Sequence, residues 1–401
     1  MSKTIVLIGA LDSKGDEFAF VKAAIESRDH QVLMINTGII GEPAFTPDIS
    51  AAQVAEAGGV SLQTLREQAD RGNAIDIMTK GAAAVAKTLF SQDKFDGILG
   101  MGGSAGTIIA TAAMRELPVG FPKVVVSTLA AGDTSAYVGT KDIVLIPSVV
   151  DVAGVNRISA QIYANAVGTI VGMVETAAPE IEERPLIAAS MFGNTTELVD
   201  QCRAFLSEQG YETLVFHATG TGGRTMEGLI NDGYFDGVLD LTTTEWADEL
   251  VGGVLSAGPE RMDGAANQAV PQVIAPGCLD MANFWAPETI PDKYGDRLFY
   301  KWNPNVTLMR TTPEENAELG RILAEKANRS TGPVAFYLPL TGVSILDSPG
   351  GEFWWPEANE ALFAAIKENL REDIPVFELD SNINDEAFAR AVTEQLLAFL
   401  S

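Results

Sequence analysis

The chain has 401 residues, room for two or three domains at ~100–200 residues each, and its 46% hydrophobic content is that of a globular protein. Its 54 acidic residues outnumber 27 basic ones, a net charge of −27 that repels nucleic-acid backbones and argues against a general DNA or RNA binder. Its two cysteines, Cys202 and Cys278, lack CxxC spacing, and no stretch reaches the ~20 apolar residues of a membrane span, so a cytoplasmic protein with no membrane partner is expected.

Residues 4–10, TIVLIGA, read as a buried parallel strand. The next segment places Phe18, Val21 and Ile25 on one helical face, and Gln31–Ile35 forms a second strand, completing a βαβ unit. An insertion follows at roughly 40–85. The pattern restarts near 185: PLIAASMF reads as a strand, GNTTELVDQCRAFLSEQG as a helix, and YETLVFHATG as a strand. Phe95-Asp96-Gly97-Ile98-Leu99 is echoed by Phe235-Asp236-Gly237-Val238-Leu239. The fold class expected is α/β, two Rossmann-like domains with mainly parallel sheets flanked by helices. The N-terminal nucleotide-binding domain spans 1–182 and the C-terminal domain 183–401, joined at the charged, proline-flanked stretch 178–185. The helix before it, with the apolar run Val167–Val174, suits either a dimer face or internal helix packing.

In such sheets ligands bind beyond the carboxyl ends of the strands, so those loops carry the chemistry. Gly100-Met101-Gly102-Gly103-Ser104-Ala105-Gly106-Thr107 lacks the Lys of a Walker loop. It follows an internal strand, and Ser127 and Thr128 stand where a dinucleotide fold needs an acid after the next strand, which disfavours NAD. A glycine loop opening a helix remains, suited to phosphate or carboxylate or to tight helix–sheet packing. His217-Ala218-Thr219-Gly220-Thr221-Gly222-Gly223-Arg224 has a similar make-up, with Arg224 as a candidate anion clamp. Two roles suit His217: general acid/base, or a structural histidine bonded to backbone. His30, in a polar turn, reads as solvated. Asp12, Asp16 and Glu17 with Lys14 suit Mg²⁺ and phosphate, or a helix start favoured by the dipole. Cys278 is a nucleophile only with a base at hand, and otherwise a small buried residue. Asp133, Thr134, Lys141 and Asp142 form a further polar group. The sequence contains no HExxH.

Together LDSKGDE, GMGGSAGT, FPKVVVSTLAAGDTSAYVGTKDIVLIPSVVDVAGVN, FHATGTGGRTMEGLINDG, LDLTTTE, VTLMRTT and LPLTGVSILDSPGGEF resemble the UPF0261, or Tm-1-like ATP-binding, family across nearly the whole chain. The resemblance implies two Rossmann-like domains, ATP with Mg²⁺, a homodimer, and a bacterial-type stand-alone member. It implies ATP contacts on the matching motifs: Asp12, Ser13, Lys14, Gly102, Gly103, Ser104, Gly106, Thr107 and Thr128, with Asp12 and Glu17 as Mg²⁺ ligands. Three functions follow as alternatives. The first is an ATP-binding protein with a small anionic ligand held near His217 and Arg224 at an interdomain cleft. The second is an oxoacid or sugar-acid enzyme using those two residues as acid/base and anion clamp. The third is a non-catalytic nucleotide sensor or interaction module.

Overall fold

The computed structural model describes residues 2–177, 179 and 181–401. Met1 lies outside them, as do Ala178 and Glu180 of the stretch read as the domain junction. The chain divides into two compact units, Met1–Glu180 and Ile181–Ser401.

The first unit runs β1 (Thr4–Gly9), α1 (Gly15–Glu26), β2 (Gln31–Asn36), α2 (Ala51–Ala57), α3 (Leu62–Gln68), α4 (Arg71–Ser91), β3 (Gly97–Gly102), α5 (Ser104–Arg115), β4 (Lys123–Ser127), α6 (Ser135–Val138), β5 (Val144–Pro147) and α7 (Arg157–Glu175). Its strands form one parallel sheet in the order β2-β1-β3-β4-β5. Side chains alternate across each strand, which explains two cores. Ile5 and Leu7 of β1 pack with Phe18, Val21 and Ile25 of α1 and Tyr163, Val167 and Ile170 of α7. Val6 and Ile8 face Val54 of α2, Met78 and Ala82 of α4, and Ile109 and Ala110 of α5. The insertion is therefore helical and shares one face of the sheet with α5.

The second unit runs β6 (Leu186–Met191), α8 (Thr196–Glu208), β7 (Glu212–His217), α9 (Thr221–Asn231), β8 (Gly237–Thr242), α10 (Glu245–Val251), α11 (Asp263–Gln268), β9 (Gln272–Gly277), β10 (Met281–Phe284), β11 (Phe299–Asn303), β12 (Val306–Arg310), α12 (Pro313–Ala327), β13 (Val334–Pro339), α13 (Pro356–Asn369), β14 (Val376–Leu379) and α14 (Glu386–Leu400). Six strands make a parallel sheet ordered β7-β6-β8-β9-β13-β14, the first unit's order extended by one strand. Between β9 and β13 the chain adds an antiparallel three-stranded sheet, β10-β12-β11, which periodicity had not separated from the rest.

The repeated Phe-Asp-Gly has the same job in both units. The Asp96 carboxylate accepts the Thr4 amide at 2.8 Å, and that of Asp236 accepts the Leu186 amide at 2.9 Å, each fixing the start of the first strand. The glycine then clears a helix: a Cβ on Gly97 would lie 2.7 Å from Val174 of α7, and one on Gly237 would lie 3.1 Å from Leu396 of α14.

Candidate functional site

Strand order reverses direction between β1 and β3, which puts the crevice of the first unit at the carboxyl ends of those two strands. A cavity of about 630 Å³ lies there, within the usual range for small-molecule sites. One wall is polar and comes from the strand ends: Asp12, Ser13, Thr37, Gly38 and, from α5, Gly106. The other wall is apolar and comes from the insertion and α5: Leu65, Ala74, Ile75, Met78 and Ile109.

The polar wall is built from short side-chain ties. Asn36 Oδ1 accepts the amides of Leu11 at 3.0 Å and Gly38 at 2.9 Å, joining the loops after β1 and β2. Asp12 Oδ2 accepts the amides of Ile40 at 2.8 Å and Gly41 at 3.1 Å. Arg66 of α3 reaches the same loop from the other side, donating to the carbonyls of Ile39 and Gly41 at 2.7 and 3.1 Å. Arg71, in the first turn of α4, lines the cavity, is exposed, and has no ion-pair or hydrogen-bond partner among the described residues.

The glycine loop divides by role. A Cβ on Gly100 would meet Ala110 Cβ at 2.5 Å, one on Gly102 the Gly106 Cα at 3.0 Å, and one on Gly106 the Met101 carbonyl at 3.1 Å. These three permit the close packing of α5 on β3, so the fold does require them. Gly103 is different. It occupies the N-cap position of α5 with no side-chain cap, and a Cβ there would find only Thr128 Oγ1, at 3.8 Å. The first turn after it is open, with Ser104 exposed. Unpaired amides and the helix dipole make such a turn attractive to an anion.

The remaining expected contacts scatter. Thr107 is buried, and its hydroxyl bonds the Gly103 carbonyl at 2.8 Å and Ser127 Oγ at 2.7 Å, so it braces the loop. Lys14 does not line the cavity. Thr128 lines a second cavity, beyond β4 and β5. Glu17 is buried and accepts the Gly154 amide at 2.6 Å, away from the loop that holds Asp12. The expected Asp12 and Glu17 pair is thus committed to two different loops. Asp133 caps its own turn through Ser135 at 3.0 Å, and Asp142 pairs with the buried Lys123 at 2.8 Å. His30 is not solvated: it is buried, its Nδ1 accepting from the Lys3 amide at 3.2 Å and its Nε2 lying 3.1 Å from Glu175.

In the second unit the loop after β7 is already filled. Glu245 Oε1 accepts the amides of Gly220 at 2.7 Å and Gly223 at 3.1 Å, the donors an anionic ligand would need. A Cβ on Gly223 would lie 2.2 Å from that carboxylate, so this glycine makes room for a group of the protein itself. Arg224 donates to the Ser256 carbonyl at 2.9 Å and to Thr221 Oγ1 at 3.3 Å. His217 is exposed, with its ring 5.6 Å from that of Phe192. Two of the amides in this loop thus already have a protein acceptor, while His217 stays exposed.

Glu245 belongs to a buried network. Arg261 binds Asp240 through two hydrogen bonds of 2.6 Å, Glu245 at 2.7 Å and Glu227 at 3.0 Å. Burial alone would lower its pKa, but the three carboxylates hold it well above the usual value. Burial likewise raises Glu227, against the pull of Arg261. Cys278 is fully buried, and burial together with Asp280 pushes its thiol well above the ordinary range, so it is a packing residue. Among the described residues no three His, Cys, Asp or Glu side chains gather as a metal site, and no helix is long and apolar enough to cross a membrane.

Two family models match, the "Uncharacterised protein family (UPF0261) N-terminal domain" over residues 3–179 and the corresponding C-terminal domain over 184–400. The chain belongs to the UPF0261 family. A UPF0261 protein of Clostridium tetani (strain Massachusetts / E88) is 50% identical over 399 residues, 99% of each chain. One from Rhizobium meliloti (strain 1021) is 45% identical over 391 residues, 97% of each chain. The ToMV resistance protein Tm-1(GCR237) of Solanum lycopersicum is 38% identical over 419 residues, which cover 99% of this chain and 56% of that protein. The chain thus carries a cavity at the switch point of its first unit, and in its second unit a loop after β7 in which Glu245 takes the amides of Gly220 and Gly223.

Proposed function

We propose that the N-terminal unit binds ATP in the cavity between the ends of β1 and β3. The observation that carries this reading is Gly103, the one glycine of the loop for which packing gives no reason, at the open start of α5, whose Ala105 and Gly106 line that cavity. A phosphate chain against the Gly103–Gly106 turn meets free amides. An adenine extends between Leu65, Ile75, Met78 and Ile109, an apolar slot suited to a flat ring. Arg71 at the rim supplies a cationic charge, with Arg66 also lining the cavity. Asp12 keeps Oδ1 free of hydrogen bonds, which fits Mg²⁺, an ion held by one or two carboxylates together with phosphate oxygens. When bound, Mg²⁺ offsets the charge of the phosphates.

The test is calorimetric titration of the whole chain with ATP and Mg²⁺. Wild type binds saturably, and Gly103→Asp, which sets a carboxylate where the phosphates lie, loses affinity at least 100-fold. Equal affinity in the two proteins, or no binding by wild type, removes the reading.

A further inference from the structure

A second cavity, of about 420 Å³, opens at the carboxyl ends of β4 and β5 and is lined by Ser127, Thr128, Ala131, Pro147, Ser148, Val149, Val150 and Asp151. Val149 has φ 63°, a left-handed conformation that costs a β-branched residue energy, and its side chain is 79% exposed. The Val150 amide bonds the Ser148 carbonyl at 2.6 Å, closing a three-residue turn around Val149, and Ser148 Oγ donates to the Val150 carbonyl at 2.6 Å. The Ser148 amide bonds the Ser127 carbonyl at 3.0 Å, which ties the strained turn to the end of β4. A buried serine thus holds an exposed valine in an unfavourable shape on the rim of a cavity.

The lining defines what fits. No lysine or arginine contributes, so a second anion has no counter-charge here. The Asp151 carboxylate and the Thr128 hydroxyl have no side-chain partner among the described residues. Pro147, Val149 and Val150 supply apolar surface beside them. Carboxylate and hydroxyl groups next to a small apolar face match a compound with several hydroxyls on one side and C–H groups on the other.

We infer that this cavity is a binding subsite for a neutral polyhydroxyl compound, a sugar or polyol, with Asp151 accepting hydrogen bonds from its hydroxyls and Val149 and Val150 packing against its C–H face. The subsite lies beside Gly103, because Thr128 lines it and stands 3.8 Å from where a Gly103 Cβ would be. It stands without the nucleotide reading, which adds only that the terminal phosphate of ATP would be its neighbour.

The experiment is saturation-transfer NMR of the whole chain with unsubstituted pentoses, hexoses and their reduced polyols, without nucleotide and then with ATP and Mg²⁺. At least one compound is expected to bind wild type without nucleotide. Its affinity falls at least 10-fold in Asp151→Asn and in Ala131→Trp, which fills the space, while Asp151→Asn keeps the wild-type melting temperature and ATP affinity. No binding across the panel, undiminished binding in both variants, or selective binding of alkylammonium probes instead overturns the inference. Sugar binding by a protein that ignores ATP removes the nucleotide reading and leaves the subsite in place.

Discussion

Arg261 and Asp248 show what individual buried charges do in the second unit. Removing Arg261 leaves Asp240, Glu245 and Glu227 facing one another out of water, and breaking a buried ion pair from one side typically costs ~3–5 kcal/mol. Arg261→Met is expected to lower the urea-unfolding free energy by about that much and to free the amides of Gly220 and Gly223, since Glu245 loses its anchor. A loss below ~1 kcal/mol would mean that the network is neutralised by protonation. Asp248 accepts the amides of Leu255 and Asn283 and the side chain of Asn283, yet burial outweighs them and pushes its carboxyl up to about 7 from 3.8. The folded chain therefore holds this proton more tightly than the unfolded chain does. The stability it contributes is complete below about pH 4 and is lost as pH rises through about 7. At ~1.4 kcal/mol per unit that amounts to roughly 4 kcal/mol. Asp248→Asn, which mimics the protonated form, should flatten that part of the stability profile between pH 4 and 8. Parallel profiles for the two proteins would show that Asp248 ionises normally in the fold.

Helix α5 separates folding from binding at the scale of an element. Asp is a better N-cap than Gly by a few tenths of a kcal/mol, so Gly103→Asp should leave the melting temperature unchanged or slightly higher while ATP binding collapses. Gly100→Val should do the reverse and destabilise the first unit by ~1–3 kcal/mol, because its side chain must displace Ala110 of α5. Helices α3 and α4 matter for the same site. Their caps are legible, Ser61 accepting the Thr64 amide and Asp70 the Asn73 amide, but nothing in their sequence marks them as the wall of a cavity. Arg71→Ala is expected to weaken ATP binding about 3- to 10-fold, with the difference shrinking as salt rises, since an exposed arginine acts through a screened field. An unchanged affinity at low salt would place the phosphates away from α4.

Across the whole molecule, the reporters are unevenly placed. Both cysteines and all five tryptophans, Trp246, Trp285, Trp302, Trp354 and Trp355, lie in the second unit. Cys202 is buried and its thiol is pushed up to about 12, and burial also raises the Cys278 thiol well above its ordinary value. Native protein at pH 8 should leave both thiols unreacted toward Ellman's reagent, and two should appear together with the tryptophan transition in urea. One fast thiol in native protein would contradict the burial of that cysteine. ATP at 100 times its Kd should stabilise the first unit by ~2.7 kcal/mol, read by far-UV circular dichroism because that unit contains no tryptophan.

The parallel α/β architecture, the repeated core and the Phe-Asp-Gly starts were determined by the sequence itself, because continuous apolar strand runs, βαβ spacing and short-range caps are local properties of the chain. The two glycine loops read alike in sequence, and only tertiary structure separated them. In one, Gly103 faces an open helix start beside a cavity. In the other, Glu245, more than twenty residues along the chain, already occupies the amides of Gly220 and Gly223. The insertion's role as a pocket wall, the division of Asp12 from Glu17 and the burial of His30 were likewise settled by contacts between residues distant in sequence. Such contacts depend on where the sheet brings loop ends together, and no local pattern of residues encodes that.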